Sequence, residues 1–113
     1  MSLTIQDIQA LFNKKLPAAA EKDPKRIQKI GKVVYQFEIA GAGSWTLDCA
    51  SAKVTSGAHP KPTCTLTSTS LVFSELMENP KVKAVSLFMQ GKITIGGDPM
   101  VALALGDLLD LIK

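Results

Sequence analysis

Nucleophilic catalysis needs a nucleophile beside a base that takes its proton. The residues that could supply such a pair are His59 with Cys64, joined by Asp48 or Cys49 from another segment. Nothing in their spacing brings them together. Cys49 and Cys64 alternate with polar neighbours, as buried strand residues do, and His59 lies between an alanine and a proline in a stretch too proline-rich for a central strand. The sequence therefore predicts no catalytic residue and a chain that is not an enzyme. A metal is not expected either, because two cysteines without Cys-x-x-Cys spacing and a single histidine do not make a zinc ligand set. No other cofactor is implied.

Anion chemistry has two candidate sites. Gly96-Gly97 ahead of a helix resembles a phosphate-binding turn, but Asp98 puts a carboxylate where the anion would sit, and a strand-to-helix turn is the simpler reading. Lys25, Arg26 and Lys29 form the second. They share the outer side of a short helix opened by Asp23 and Pro24, with Ile27 and Ile30 inward and Gly31 at its exit. This stripe is either a solvated face or a contact for anionic lipid headgroups or a coenzyme A phosphate. Charge favours that end of the chain: the net charge is +3, and residues 1–32 hold seven Lys or Arg against Asp7, Glu21 and Asp23. Aromatic interleaving is missing, so nucleic acid is not an expected partner.

The elements that must position these groups are legible from periodicity. A chain of 113 residues with 46% hydrophobic and 5% aromatic residues suits one domain, residues 1–113, with an aliphatic core. After Thr4, the residues Ile5, Ile8, Leu11, Phe12 and Leu16 share a helical face that Pro17 is expected to end. Alternation at Val33, Tyr35, Phe37 and Ile39, then at Trp45, Leu47 and Cys49 beyond Gly41-Ala42-Gly43, predicts a hairpin. Weaker strands follow around Val54 and around Cys64 and Leu66. Ser70 is the expected cap of a helix stopped by Asn79-Pro80, another helix runs to Gly91, and Ile93 and Ile95 make a fifth strand. The order lacks regular βαβ alternation and predicts an α+β fold, a mainly antiparallel five-stranded sheet with helices over one face.

Residues 99–113 carry more apolar surface than a core needs. On a helical wheel Lys113, Gly106, Pro99, Asp110 and Asp107 share a narrow stripe, and the rest is an apolar arc of roughly 200° where ~100° would suffice. Neighbouring helices, a second subunit, a membrane or a bound lipid could cover it. Met77, Met89 and Met100 are adaptable gap-fillers expected to face the same interior as Phe73, Leu76, Val85 and Phe88. The acids Asp107 and Asp110 sit near a helix C-terminus, which disfavours anions, with Lys113 to oppose them. A loosely held helix is expected.

The run Phe88-Met89-Gln90-Gly91-Lys92-Ile93-Thr94-Ile95-Gly96-Gly97, preceded by Asn79-Pro80, by Cys64-Thr65-Leu66-Thr67 and by Trp45-Thr46-Leu47-Asp48, resembles the sterol carrier protein type two family, the non-specific lipid-transfer proteins. The resemblance implies a hydrophobic tunnel between sheet and helices, closed in part by the C-terminal helix, holding fatty acid, fatty acyl-CoA, phospholipid or sterol without covalent chemistry. It implies a lining drawn from Phe73, Leu76, Met77, Val85, Phe88, Met89, Gln90, Met100, Leu105, Leu108, Leu109 and Ile112, with Gln90 the recurrent polar residue. Many members end in a Ser-Lys-Leu type signal, whereas this chain ends Leu111-Ile112-Lys113. Expected is a soluble monomer of cytoplasm or peroxisome that carries a lipid or fatty acyl ligand and touches anionic membrane surfaces transiently. The alternative is an accessory module that docks on a partner enzyme, or homodimerises, through the apolar C-terminal helix.

Overall fold

The computed structural model describes residues 3–57, 60–97 and 104–112. Thr4 opens its helical layer. The Thr4 hydroxyl accepts from the Asp7 N–H at 3.0 Å while the Asp7 carboxylate accepts from the Thr4 N–H at 2.9 Å, so donors left over at a helix start satisfy each other. The bond from the Thr4 backbone N–H foremost, and then the Thr4 side chain, hold the Asp7 carboxyl below its ordinary range.

Helix α1 (Ile5–Ala10) does not stop at Pro17 as expected. It passes through a π-helical turn (Leu11–Lys15) into α2 (Leu16–Lys22), with Pro17 in the first turn of α2. Proline lacks an N–H and crowds the carbonyl one α-turn back. In the wider turn the Leu16 N–H reaches the Leu11 carbonyl, which makes room for the ring without breaking the helix. Helix α3 (Pro24–Gln28) follows where the sequence places it, with Pro24 in its first turn, Ile27 buried and Ile30 half-buried, although the Asp23 side chain makes no cap hydrogen bond.

Strands β1 (Val34–Ala40), β2 (Gly43–Asp48), β3 (Lys53–Ser56), β4 (Cys64–Thr69) and β5 (Thr94–Gly97) form one sheet in the order β3-β2-β1-β4-β5. β1 pairs parallel with β4, and the other neighbours are antiparallel. Side chains alternate across the sheet, so Tyr35, Phe37 and Ile39 face the helices together with Trp45, Leu47, Cys64 and Leu66. Phe12 reaches into this layer from the π turn. Its ring stacks on Trp45 with centroids 4.6 Å apart and lies 4.9 Å from Phe37 and 5.6 Å from Phe73. The Trp45 indole N–H donates to the Asn13 side-chain oxygen at 2.9 Å, so its polar edge is satisfied.

The remaining helices are α4 (Ser70–Leu76), α5 (Pro80–Met89) and α6 (Leu105–Asp110). Thr69, not Ser70, caps α4, its hydroxyl accepting from the Val72 N–H at 3.2 Å. Gly96 and Gly97 are ladder residues of β5, opposite Thr65 and Cys64. Gly97 has a φ of +95°, and a Cβ there would run into the Thr63 carbonyl, so close backbone approach accounts for the glycine. Asp98 and Met100 lie outside the described residues, as do His59 and Lys113.

Candidate functional site

The residues expected to line an interior divide into two groups. Phe73, Leu76 and Met77 of the α4 segment join Leu105, Leu108, Leu109 and Ile112 of the α6 segment in the buried core. Their apolar surface is covered within the chain, which takes these residues out of the free apolar face that the wheel suggested.

Val85, Phe88 and Met89 are not with them. They are 57%, 47% and 79% exposed, and α5 turns Pro80, Ala84 and Leu87 inward instead. The reason is packing distance. α5 has two apolar faces, and the one with smaller side chains lets α6 come close: a Cβ on Gly106 would stand 3.1 Å from the Pro80 carbonyl oxygen. Gly106, which the wheel set in a polar stripe, is thus a buried contact. Gln90 is exposed at the end of α5, where its amide donates to the Ser86 hydroxyl at 2.9 Å.

Between α3, α5 and α6 lies an open groove of about 450 Å³. Ile30, Ala104, Leu108 and Leu111 supply its apolar floor, and Arg26, Lys29, Lys81, Asp107 and Asp110 its charged rim. Lys81 reaches from α5 to Asp107 at 3.7 Å and Asp110 at 3.8 Å, so the cation opposing these acids comes from another helix. Among the described residues Arg26 and Lys29 make no ion pair with a carboxylate. A second groove of about 360 Å³, lined by Ala19, Lys22, Asp23, Arg26 and Leu111, shares Arg26 and Leu111 with the first. Lys25 is exposed but lines neither. Leu108 is both groove floor and core, so it separates the two apolar regions.

The groups with nucleophilic chemistry lie elsewhere and are poorly disposed to use it. Burial, followed by the charge of Asp48, pushes the Cys49 thiol up to about 12, so it is protonated at neutral pH. Reactive thiols need the opposite shift. Tyr35 is raised as well, by burial first and then by Cys49 and Cys64. Among the described residues no three His, Cys, Asp or Glu side chains gather as a metal-holding group, and no helix is long and apolar enough to cross a membrane.

A model of the SCP-2 sterol transfer family matches residues 8–110. The chain belongs to that family. Its SCP-2 fold superposes on the apo sterol carrier protein 2 of Yarrowia lipolytica with a TM-score of 0.71 and 28% identity, covering 95% of this chain and 90% of that one. Sterol carrier protein domain 2 of Helicoverpa armigera gives 0.69 and 28%, over 99% and 94% of the two chains. The Aedes aegypti sterol carrier protein-2, solved in complex with palmitate, gives 0.68 and 23% over 100% of both. A search of curated proteins finds no match.

For an SCP-2 domain, the α3 cations and the core positions of α4 and α6 were readable in the sequence. Lys81, Ala104 and Leu111 were not. They line the groove because α6 packs across α5 beside α3, a tertiary relation with no local sequence signal.

Proposed function

We propose that this chain binds and carries an acyl lipid, a fatty acid or fatty acyl-CoA, with phospholipid or sterol within the same site class. The carrying observation is the groove in which an apolar floor of Ile30, Ala104, Leu108 and Leu111 meets the cations Arg26 and Lys29. An amphiphile needs both. Its carboxylate or phosphate is held at the cations by charge-assisted hydrogen bonds, and its chain lies on the floor. The volume of about 450 Å³ is within the range of small-molecule sites. Membership of the SCP-2 family and the palmitate complex of the Aedes relative support the reading.

Past Leu108 a long chain would reach Phe73, Leu76, Met77, Leu105, Leu109 and Ile112 only as α6 moves aside, which makes α6 the closing wall of the tunnel in this proposal. Burial of each methylene contributes ~0.8 kcal/mol, enough for micromolar binding of a long chain after association costs. No bond is made or broken. Delivery requires α6 to yield, and its ion pairs to Lys81 are exposed contacts of the kind worth ~0–1 kcal/mol. α6 is also short and has no side-chain cap at its start.

Native mass spectrometry of the purified chain tests this against the interaction-module reading. A monomer carrying a lipid mass is the expected result. An empty dimer, unchanged when fatty acid is added, would contradict it.

A further inference from the structure

The charges on the groove rim are sorted by helix. Arg26 and Lys29 come from α3, Asp107 and Asp110 from α6, and the Lys81 ammonium of α5 stands 3.7 and 3.8 Å from the two acids. Both distances exceed the ~2.7–2.9 Å of a charge-assisted hydrogen bond. The ammonium is thus held as a point charge on a flexible four-carbon stem, its side chain 56% exposed and open to exchange of partners. It nonetheless serves two carboxylates. Asp107 and Asp110 lie one turn apart in a six-residue helix with no basic residue in its last turn, so they repel each other and the helix dipole opposes Asp110.

We infer that Lys81 couples head-group binding to release of α6: a carboxylate or phosphate seated among Arg26, Lys29 and Lys81 draws the ammonium from Asp107 and Asp110, and α6 loosens. Lys81 lines the same groove as the two α3 cations. An anion among them replaces two long ion pairs with shorter charge-assisted bonds. Departure of the ammonium leaves the two carboxylates of α6 to repel each other. That repulsion acts where α5 and α6 touch most closely, since a Cβ on Gly106 would stand 3.2 Å from the Lys81 Cα. The coupling is reciprocal, so a loosened α6 in turn favours the anion. Lys81 is therefore a positioning residue that acts on the apolar interior through α6. The inference rests on the lipid-carrier reading for the purpose of the groove, and its test uses a head group without an acyl chain.

Inorganic phosphate is the probe, compared with chloride at equal ionic strength so that screening is matched. The readout is amide hydrogen exchange of the full chain at Leu108, Leu111 and Ile112, whose N–H groups bond to carbonyls of the same segment. In the unmodified chain phosphate should speed exchange there by about 2–5-fold, the range open to an exposed ion pair. The β1 amides of Tyr35 and Phe37 should hold steady or slow, because phosphate in general strengthens apolar burial. Lys81→Gln should exchange fast in both salts, and Lys81→Arg should restore both the slow rate in chloride and the response to phosphate. Equal exchange of the unmodified chain in the two salts would overturn the inference. So would a Lys81→Gln chain as slow as the unmodified one in chloride, or an acceleration shared equally by β1. Phosphate-driven release of α6 in a chain without saturable binding of a fluorescent fatty acid would uphold the coupling and defeat the carrier reading alone. Saturable fatty-acid binding beside an α6 indifferent to phosphate would do the reverse.

Discussion

Gly106 of α6 lies so close to Pro80 of α5 that a Cβ would stand 3.1 Å from the Pro80 carbonyl oxygen and 3.2 Å from the Lys81 Cα. Both obstacles are backbone and cannot rotate away. Alanine at 106 gains helix propensity of ~0.8–1 kcal/mol over glycine and strains this contact at the same time. The two effects oppose each other. Gly106→Val has no such compensation, and overpacking should cost about 1–3 kcal/mol in urea unfolding while loosening fatty-acid binding, because α6 is the proposed wall of the site. A valine variant as stable as the unmodified chain would show that the two helices separate freely.

Phe12 holds the helical layer to the sheet through its contacts with Trp45, Phe37 and Phe73. Phe12→Ala should cost about 3–5 kcal/mol and shift the emission of Trp45 to longer wavelength as solvent reaches the vacated space. Small losses with unchanged emission would mean that the stack contributes little.

How far the sequence led depended on whether one element or two had to be known. β1 was legible because Tyr35, Phe37 and Ile39 alternate with more polar neighbours, and a single sheet face decides their burial. The cationic side of α3 was legible in the same way. Pro17 misled because the remedy for its ring is a widened turn, and no residue type announces one. α5 misled for another reason. Its larger apolar side chains, Val85, Phe88 and Met89, read as the inward face in the sequence, but which face is buried depends on the partner, and Gly106 selects the small residues Pro80 and Ala84. The groove could not be read at all, since Arg26, Lys81 and Leu111 meet only after three helices have packed.

Alkaline stability should report on the buried thiol. Cys49 is raised from an ordinary 9.0 to about 12, so the folded state retains a proton that the unfolded chain gives up. Its contribution is complete below about pH 9 and is lost as the pH climbs through about 12, with Tyr35 acting in the same direction. Cys49→Ala should make this alkaline loss shallower when urea midpoints are compared across pH. Identical curves for the two proteins would remove Cys49 from the account.

Arg26 and Lys29 line the groove and Lys25 does not. Arg26→Gln with Lys29→Gln should weaken fatty-acid binding by about 3–10-fold, the loss of a charge-assisted contact or two, and should flatten its dependence on salt. Lys25→Gln should leave the affinity as it was. An equal effect of all these changes would assign the stripe to long-range attraction and not to the groove.

The carrier reading stands or falls most directly on titration of the full chain with a fluorescent long-chain fatty acid, followed by displacement with unlabelled palmitate. The account predicts saturable, stoichiometric binding with a dissociation constant on the order of micromolar, reversed by palmitate. Signal that rises without saturating up to the micelle concentration of the probe, and that palmitate does not displace, would contradict it.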